Sequence, residues 1–373
     1  MTIYNSRSCS FFSLGRNAMY VACRGLGLKA GDEVLTPAFD CDGTLQPFKV
    51  LGLKLTFFRI DPYTFEVDLE DLKQKISSKT KLIHIVNYFG IPQSWDRLKI
   101  FRKEYGVPIL EDNAHSLFSS YKGKKLGTFG DASIFSLRKS LLLPDGAILQ
   151  INNTSFSYAK GVGKSPWLYK EQLSEVLRYI KGTLGISSFP FLKRLLSYVK
   201  KDMLPPPSLY SDEKKEIPIW PLRDQMGKEF SSHYEKPISG FSLSRFKKIE
   251  VDYYDNLIKH NQMAYAFLSY SLKDVKGIQV LYPALESDVV PFCFSFLVDS
   301  RRDELLERLK WRYGVMVWPT LSSDVLKQLK NFPDVELLGR HLLQFSLPSH
   351  KVIMPDFKKH LESFVHDVLD FLK

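Results

Sequence analysis

The chain has 373 residues, 44% of them hydrophobic and 25% charged. That composition supports a sizeable core and excludes a mainly disordered chain, a collagen-like repeat and a small disulfide scaffold. The excess of 52 Lys and Arg over 41 Asp and Glu gives a net charge of +11 and favours anionic partners. Residues 160–202 alone hold nine basic and three acidic side chains, so the remainder is only mildly basic and nucleic-acid binding is not the expected function.

In chain order, Ala18, Met19, Ala22, Cys23 and Leu26 have helical spacing that Gly27 closes. Glu33-Val-Leu-Thr-Pro-Ala-Phe39 reads as a buried strand, and a second covers 53–60. Asp68 caps a helix with Leu69, Leu72 and Ile76 on one face. A strand over 81–86, a helix over 94–105 stopped by Gly106 and a strand over 107–110 follow. Strands alternating with helices imply a mostly parallel sheet with covered faces. Ligands collect outside the carboxyl ends of such strands, here the loops after Phe39, Val86, Leu110 and Phe135.

The texture changes between about 155 and 235. Apolar residues at helical spacing over 167–184 and 190–201, then Pro205-Pro-Pro207 and a charged run, predict a basic helical insertion and a linker. Packing on the main body is the favoured role for this insertion; contact of 160–202 with an anionic membrane surface is the alternative. A smaller α/β unit follows: a long helix over 243–272, a strand over 291–298, a helix over 302–313 ending at Gly314, a strand over 344–347 and a final amphipathic helix.

Purely apolar runs such as Leu141-Leu-Leu143 fall far short of the roughly 20 residues a bilayer requires, and the N-terminus lacks a signal-peptide pattern. Cys9, Cys23, Cys41 and Cys293 form no CxxC pair, so reduced thiols in the cytoplasm are expected. No HxxxH pair supports a metal site and no GxSxG elbow is present. Gly161-Val-Gly-Lys-Ser165 resembles the tail of a phosphate-binding loop, but Tyr158 stands where its first glycine belongs.

The informative stretch begins at Leu110-Glu-Asp-Asn-Ala-His-Ser116 and runs through Ile134-Phe-Ser-Leu-Arg-Lys139 to Pro144-Asp-Gly146. Asp112 lies just past a buried strand, where a carboxylate is costly unless it meets a cation. A pyridinium nitrogen is such a cation, and Lys139, one turn past another apolar strand, suits Schiff-base chemistry. The alternative is an N-capping aspartate and a solvated lysine.

This stretch resembles the DegT/DnrJ/StrS family of pyridoxal-phosphate-dependent sugar aminotransferases. Gly15-Arg-Asn-Ala-Met19 is similar to the family's turn into its first helix, and Gly31-Asp-Glu-Val-Leu-Thr-Pro37 to its GDEV strand. Lys79-Thr-Lys-Leu-Ile83, Tyr88-Phe-Gly90 and Glu111-Asp-Asn-Ala-His115 match further landmarks. Gly314-Val, Trp318-Pro319 and Leu347-Pro-Ser-His350 resemble those of its small domain. The likeness is close over 10–150 and loose over 238–370.

The resemblance implies an α/β, fold type I transferase. Residues 1–154 and part of 155–237 would form a large domain with a mostly parallel seven-stranded sheet, and residues 238–373 a smaller one. It implies pyridoxal 5'-phosphate as cofactor and no metal. Asp112 pairs with the pyridine nitrogen, and Lys139 carries the cofactor and shuttles the proton. His115 sits near the ring hydroxyl, Ser136 contacts the phosphate, and Gly15, Arg16 and Asn17 bind it at a helix N-terminus. Four departures stand out. Lys139 comes two residues early after Phe135-Ser136, which a two-residue deletion reconciles with its unchanged interval to Gly146. Arg16 replaces a Thr or Ser. Cys41 sits near the place of a ring-stacking aromatic, a role Tyr88 or Phe39 would then fill. Ser232-His-Tyr-Glu-Lys-Pro237 has no counterpart of the family's Asn-x-Arg segment.

The expected function is amino transfer, with glutamate as donor, to a keto group of a nucleotide-linked sugar in polysaccharide or glycoconjugate biosynthesis, by a cytoplasmic homodimer. The rival from another class is a non-catalytic scaffold or membrane-associated subunit. Sugar dehydration is a second alternative, which Lys139 opposes because the family's dehydratases carry histidine there.

Overall fold

The computed structural model describes residues 9–141, 143–155, 167, 234–249, 251–347 and 356–373. Except for Trp167, the insertion helices and the linker expected between 156 and 233 lie outside these residues.

The main sheet contains β1 (Cys9–Phe12), β2 (Glu33–Pro37), β3 (Lys54–Phe58), β4 (Thr80–Val86) and β5 (Ile109–Asn113). After a short hairpin of β6 (Ser120–Tyr121) and β7 (Lys124–Lys125), β8 (Ala132–Ser136) and β9 (Ala147–Ile151) complete it. The lateral order is β1-β9-β8-β5-β4-β2-β3, and only β9 runs against the rest. Helices α1 (Gly15–Gly25), α2 (Asp42–Val50), α3 (Leu69–Lys75), α4 (Trp95–Tyr105) and α5 (Leu137–Ser140) connect the strands. The Asp68 side chain caps α3 by accepting from Asp71 N, and Gly106, in the left-handed region at φ +71°, ends α4.

Several elements differ from the sequence reading, three of them near the strand ends or domain junction. The strand expected over 107–110 runs to Asn113, because Ile109–Asn113 pairs in parallel with β4 on one side and β8 on the other. Asp112 is therefore inside the end of a central strand rather than beyond it. The helix expected over 243–272 is two helices, α6 (Gly240–Lys248) and α7 (Val251–Leu272). Arg245, Lys247 and Lys248 in the last turn of α6 favour a helix end there, and Ile249 is extended. Helix α2 was not expected, because Gly43 and Pro47 argue against a helix.

A second sheet, wholly antiparallel, has the order β10 (Ile278–Val280), β11 (Cys293–Val298), β13 (Leu342–Ser346), β12 (Val315–Met316). Around it lie α8 (Arg302–Tyr313), α9 (Ser323–Leu326), α10 (Pro333–His341) and α11 (Phe357–Leu372). The period of two along β11 decides its packing. Phe294, Phe296 and Val298 join Leu305, Leu309 and Phe364 in one core, whereas Cys293 and Leu297 join the core of the main sheet.

Residues at the start of this half also anchor on the main sheet. Ile238, Phe246, Tyr254 and Leu257 pack with Phe135, Leu137 and Ile148. Buried Asp145 accepts from the backbone N–H and hydroxyl of Ser239, at 2.8 and 2.7 Å, and from the hydroxyl of Ser242. That cluster fixes the ground on which α5, the lysine-bearing turn, stands.

Candidate functional site

Four neighbouring strands, β2, β4, β5 and β8, deliver polar residues to one edge of the main sheet. Asp112, next to last in β5, is buried, and its Oδ1 accepts from Ala114 N–H at 2.7 Å. Its Oδ2 lies 3.4 Å from His84 Nε2. His84, inside β4, is fully buried, with Thr36 Oγ1 3.0 Å from its Nδ1 and Asp40 Oδ2 3.6 Å from the same nitrogen. Asp40 follows β2 and leads to Cys41, whose electrostatic neighbours include both Asp40 and Lys139. Asp112, His84, Thr36 and Asp40 thus form one polar cluster across three strands.

Lys139 is half-buried on α5, and its Nζ donates to His115 Nε2 at 3.0 Å. His115 lies between the rings of Phe89 and Phe292, at centroid distances of 5.6 and 4.6 Å, with the edge of Trp318 at 4.8 Å. Burial, and then the charge of Lys139, hold its pKa well below the ordinary histidine value, so the ring is neutral and accepts the lysine proton. Its Nδ1 is buried without a hydrogen-bond partner among the described residues. A cavity of about 20 Å³ beside Lys139 is lined by His115, Ser140, Asn261 and Phe292.

The residues expected to meet an anion sit at the start of α1 and the end of β8. Leu14 precedes α1 without a side-chain cap. The Arg16 guanidinium reaches Gln46 on α2 at 3.2 Å, and the Asn17 amide donates to Tyr234 O at 2.9 Å. Arg16 and Asn17 thus spend these side-chain bonds within the protein, and the Asn17 backbone N–H donates to Leu14 O at 3.0 Å. Ser136 ends β8, buried, and does not cap α5. Tyr88 and Phe39, named as ring-stacking choices, are both walled into the core, and the Tyr88 hydroxyl donates to Phe39 O at 2.7 Å. Cys41 is half-buried, with Sγ 3.0 Å from Thr44 Oγ1.

Pyridoxal phosphate requires an amine, a carboxylate for its ring nitrogen, a polar group near its hydroxyl and an anion site. Lys139 and Asp112 meet the first two needs, and the unpartnered His115 Nδ1 meets the third. For the fourth, the uncapped start of α1 carries Gly15, where a Cβ would make an ordinary contact with Ile134 Cδ1 at 3.8 Å. The donor set fits the cofactor. Among the described residues no group of three His, Cys, Asp or Glu is placed to hold a metal ion, and no helix is long and apolar enough to cross a membrane.

Asp40 was missed in the sequence, as was His84, which is the only polar residue in the run Leu82–Val86 and could have signalled the site. Burial raises the Asp40 carboxyl to about 7, against the pull of His84 and with the push of Asp112. A carboxyl whose folded pKa exceeds its unfolded value of 3.8 binds more protons when folded, so its contribution to stability falls as pH rises from about 4 to 7. Asp40→Asn removes that dependence. Relative to wild type the variant should gain on the order of 2–3 kcal/mol between pH 5 and pH 8, read from urea unfolding at the two pH values. Parallel stability curves for the two proteins would refute the assignment.

A mostly parallel seven-stranded sheet with an aspartate and a lysine at adjacent strand ends, beside a smaller antiparallel sheet, defines the aspartate-aminotransferase-like class of folds. The aminotransferase TlmJ from Streptoalloteichus hindustanus aligns over 98% of this chain and 86% of its own, with a TM-score of 0.64 at 17% identity. An E. coli GDP-4-keto-6-deoxy-D-mannose-3-dehydratase with bound hydrated PLP aligns over 98% and 88%, with a TM-score of 0.62 at 20% identity. Both likenesses concern the fold.

Residues 5–154 match the model of the DegT/DnrJ/EryC1/StrS aminotransferase family. A GDP-perosamine synthase of Escherichia coli O157:H7 is 33% identical over 143 residues, which are 38% of this chain. The match spans 39% of the length of that relative.

Proposed function

We propose that the protein is a pyridoxal-phosphate-dependent aminotransferase. In this reading it moves an amino group from an amino-acid donor, glutamate being the expected one, to a keto group of a nucleotide-linked sugar for polysaccharide or glycoconjugate assembly. It would do so in the cytoplasm as a homodimer, with residues 1–154 and part of 155–237 as the large domain and 238–373 as the small one. The observation that carries the reading is Lys139 held at 3.0 Å by a neutral histidine, on the same sheet edge as a buried aspartate with few partners. The nucleotide sugar rests on the relative named GDP-perosamine synthase.

When bound, the cofactor supplies an aldehyde that condenses with amines and a ring that accepts the electron pair of a broken C–H bond. The residues of the chain do the rest. Asp112, as an anion, keeps a proton on the ring nitrogen. Lys139 Nζ takes a proton from one carbon and returns it to another, and His115, neutral and hydrogen-bonded to it, orients the amine for both transfers. Phe292 and Trp318 shield this exchange from water, and the first turn of α1 with Ser136 binds the phosphate.

The dehydratase among the similar structures makes dehydration the second reading. Lys139, where the family's dehydratases carry histidine, favours amino transfer. The test is a half-reaction. Glutamate added to the cofactor-loaded protein is expected to bleach its visible absorption and release 2-oxoglutarate. A keto nucleotide sugar should then restore the absorption and emerge aminated. Loss of water from the sugar without its amination would favour dehydration.

A further inference from the structure

His84 faces polar groups from two strands and the loop between them. Thr36 of β2 and Asp40 just beyond it share Nδ1, at 3.0 and 3.6 Å, and Asp112 of β5 faces Nε2 at 3.4 Å. The ring of Phe48, from α2, closes over the imidazole at 5.5 Å. The geometry has a direction. A carboxylate oxygen only accepts, so facing Asp112 assigns the proton to Nε2, and the Thr36 hydroxyl can then donate to Nδ1. The other Asp112 oxygen takes only the Ala114 N–H.

Donors directed at a carboxylate favour its ionised form and fix its orientation. A neutral acid cannot keep a proton on a ring nitrogen. We propose that His84 is a positioning residue for the cofactor nitrogen: its Nε2–H holds the Asp112 carboxylate in one rotamer facing that nitrogen, while Thr36 satisfies Nδ1 in the tautomer that allows it. The inference rests on the reading of Asp112 as the partner of that nitrogen. It adds a polar chain, Asp40–His84–Asp112, reaching across β2, β4 and β5.

A merely structural histidine would support every ligand of the site alike. A histidine acting through Asp112 supports only a ligand with a ring nitrogen. The experiment therefore titrates the apoprotein with pyridoxal phosphate and with its 1-deaza analogue, in which carbon replaces that nitrogen, and reads the ratio of the two affinities. His84→Asn places its amide near the Nδ1 position and loses the donor to Asp112. His84→Gln reaches the Nε2 position and keeps it. The expected result is a ratio lowered about tenfold or more in His84→Asn and largely kept in His84→Gln. Because a ratio is read, a general loss of folding lowers both affinities and leaves the result interpretable. Equal loss of both ligands in His84→Asn, or an unchanged ratio, overturns the inference while the site reading stands. Failure of the wild-type protein to prefer pyridoxal phosphate over the deaza analogue overturns the Asp112 reading and the inference with it.

Discussion

Lys139→Ala is expected to lower amino transfer by about 10⁴-fold, the upper range for loss of a positioned proton-transfer group, and to leave the fold intact. The side chain is half-buried and donates a hydrogen bond to His115. Its removal should therefore cost stability only about 1 kcal/mol. Chemistry, in contrast, loses both an amine and a proton carrier. Lys139→Arg separates these roles, since a guanidinium keeps a donor for His115 and a positive charge but remains protonated at any working pH. If hydrogen bonding or charge were the contribution, the arginine variant would be active. The expected result is that it is as inactive as the alanine variant, that neither retains a borohydride-sensitive visible absorption with pyridoxal phosphate, and that a small external amine partly rescues alanine alone. Full turnover in Lys139→Ala would sink the assignment. The resemblance would place the lysine two residues later; here α5 starts directly at Leu137 after β8 ends at Ser136, and one short turn brings Lys139 Nζ to His115.

Much of this site was legible because local patterns expose it. Asp112 and Lys139 are charged residues closing apolar runs, and apolar runs of β-branched and aromatic residues mark strands. Their proximity follows from alternating strands and helices. What local pattern cannot supply is lateral order. His84 meets Asp112 because β4 pairs with β5, and Asp40 meets His84 because β2 pairs with β4, contacts set by pairing across the sheet. Within its own strand His84 reads as one polar residue in a core run. Phe292 and Trp318 close over His115 from about 200 residues away, and nothing near them in sequence points to that histidine. The edge strand β1 and its neighbour β9 were not expected either. The first is only Cys9–Phe12, and the second returns antiparallel, outside the strand–helix rhythm that reveals the others.

Glu111→Ala, one residue from Asp112, is expected to unfold the protein far more readily without touching the reacting atoms. Successive strand residues face opposite sides of the sheet, so Glu111 and Asp112 have different fates. Fully buried Glu111 accepts from the backbone N–H of Gly127, Phe129 and Gly130, at 2.5, 3.0 and 3.0 Å, and from the Ser133 hydroxyl at 3.1 Å. Burial raises its pKa, and these donors pull against that rise. The loop closes this tightly because Gly127 has φ +92° and a Cβ there would lie 2.2 Å from Phe135 Cζ. Truncating Glu111 leaves three backbone donors without their acceptor and opens a cavity beside them. A loss of roughly 3–5 kcal/mol is therefore expected in urea unfolding. Glu111→Gln, which retains one carbonyl oxygen, should lose about half as much. A loss below about 1 kcal/mol in Glu111→Ala would mean that the 127–130 loop finds other acceptors. The difference between the two carboxylates is one of partners: Glu111 is saturated by the protein, whereas Asp112 has one backbone donor and one histidine, and that leaves it able to meet a ligand.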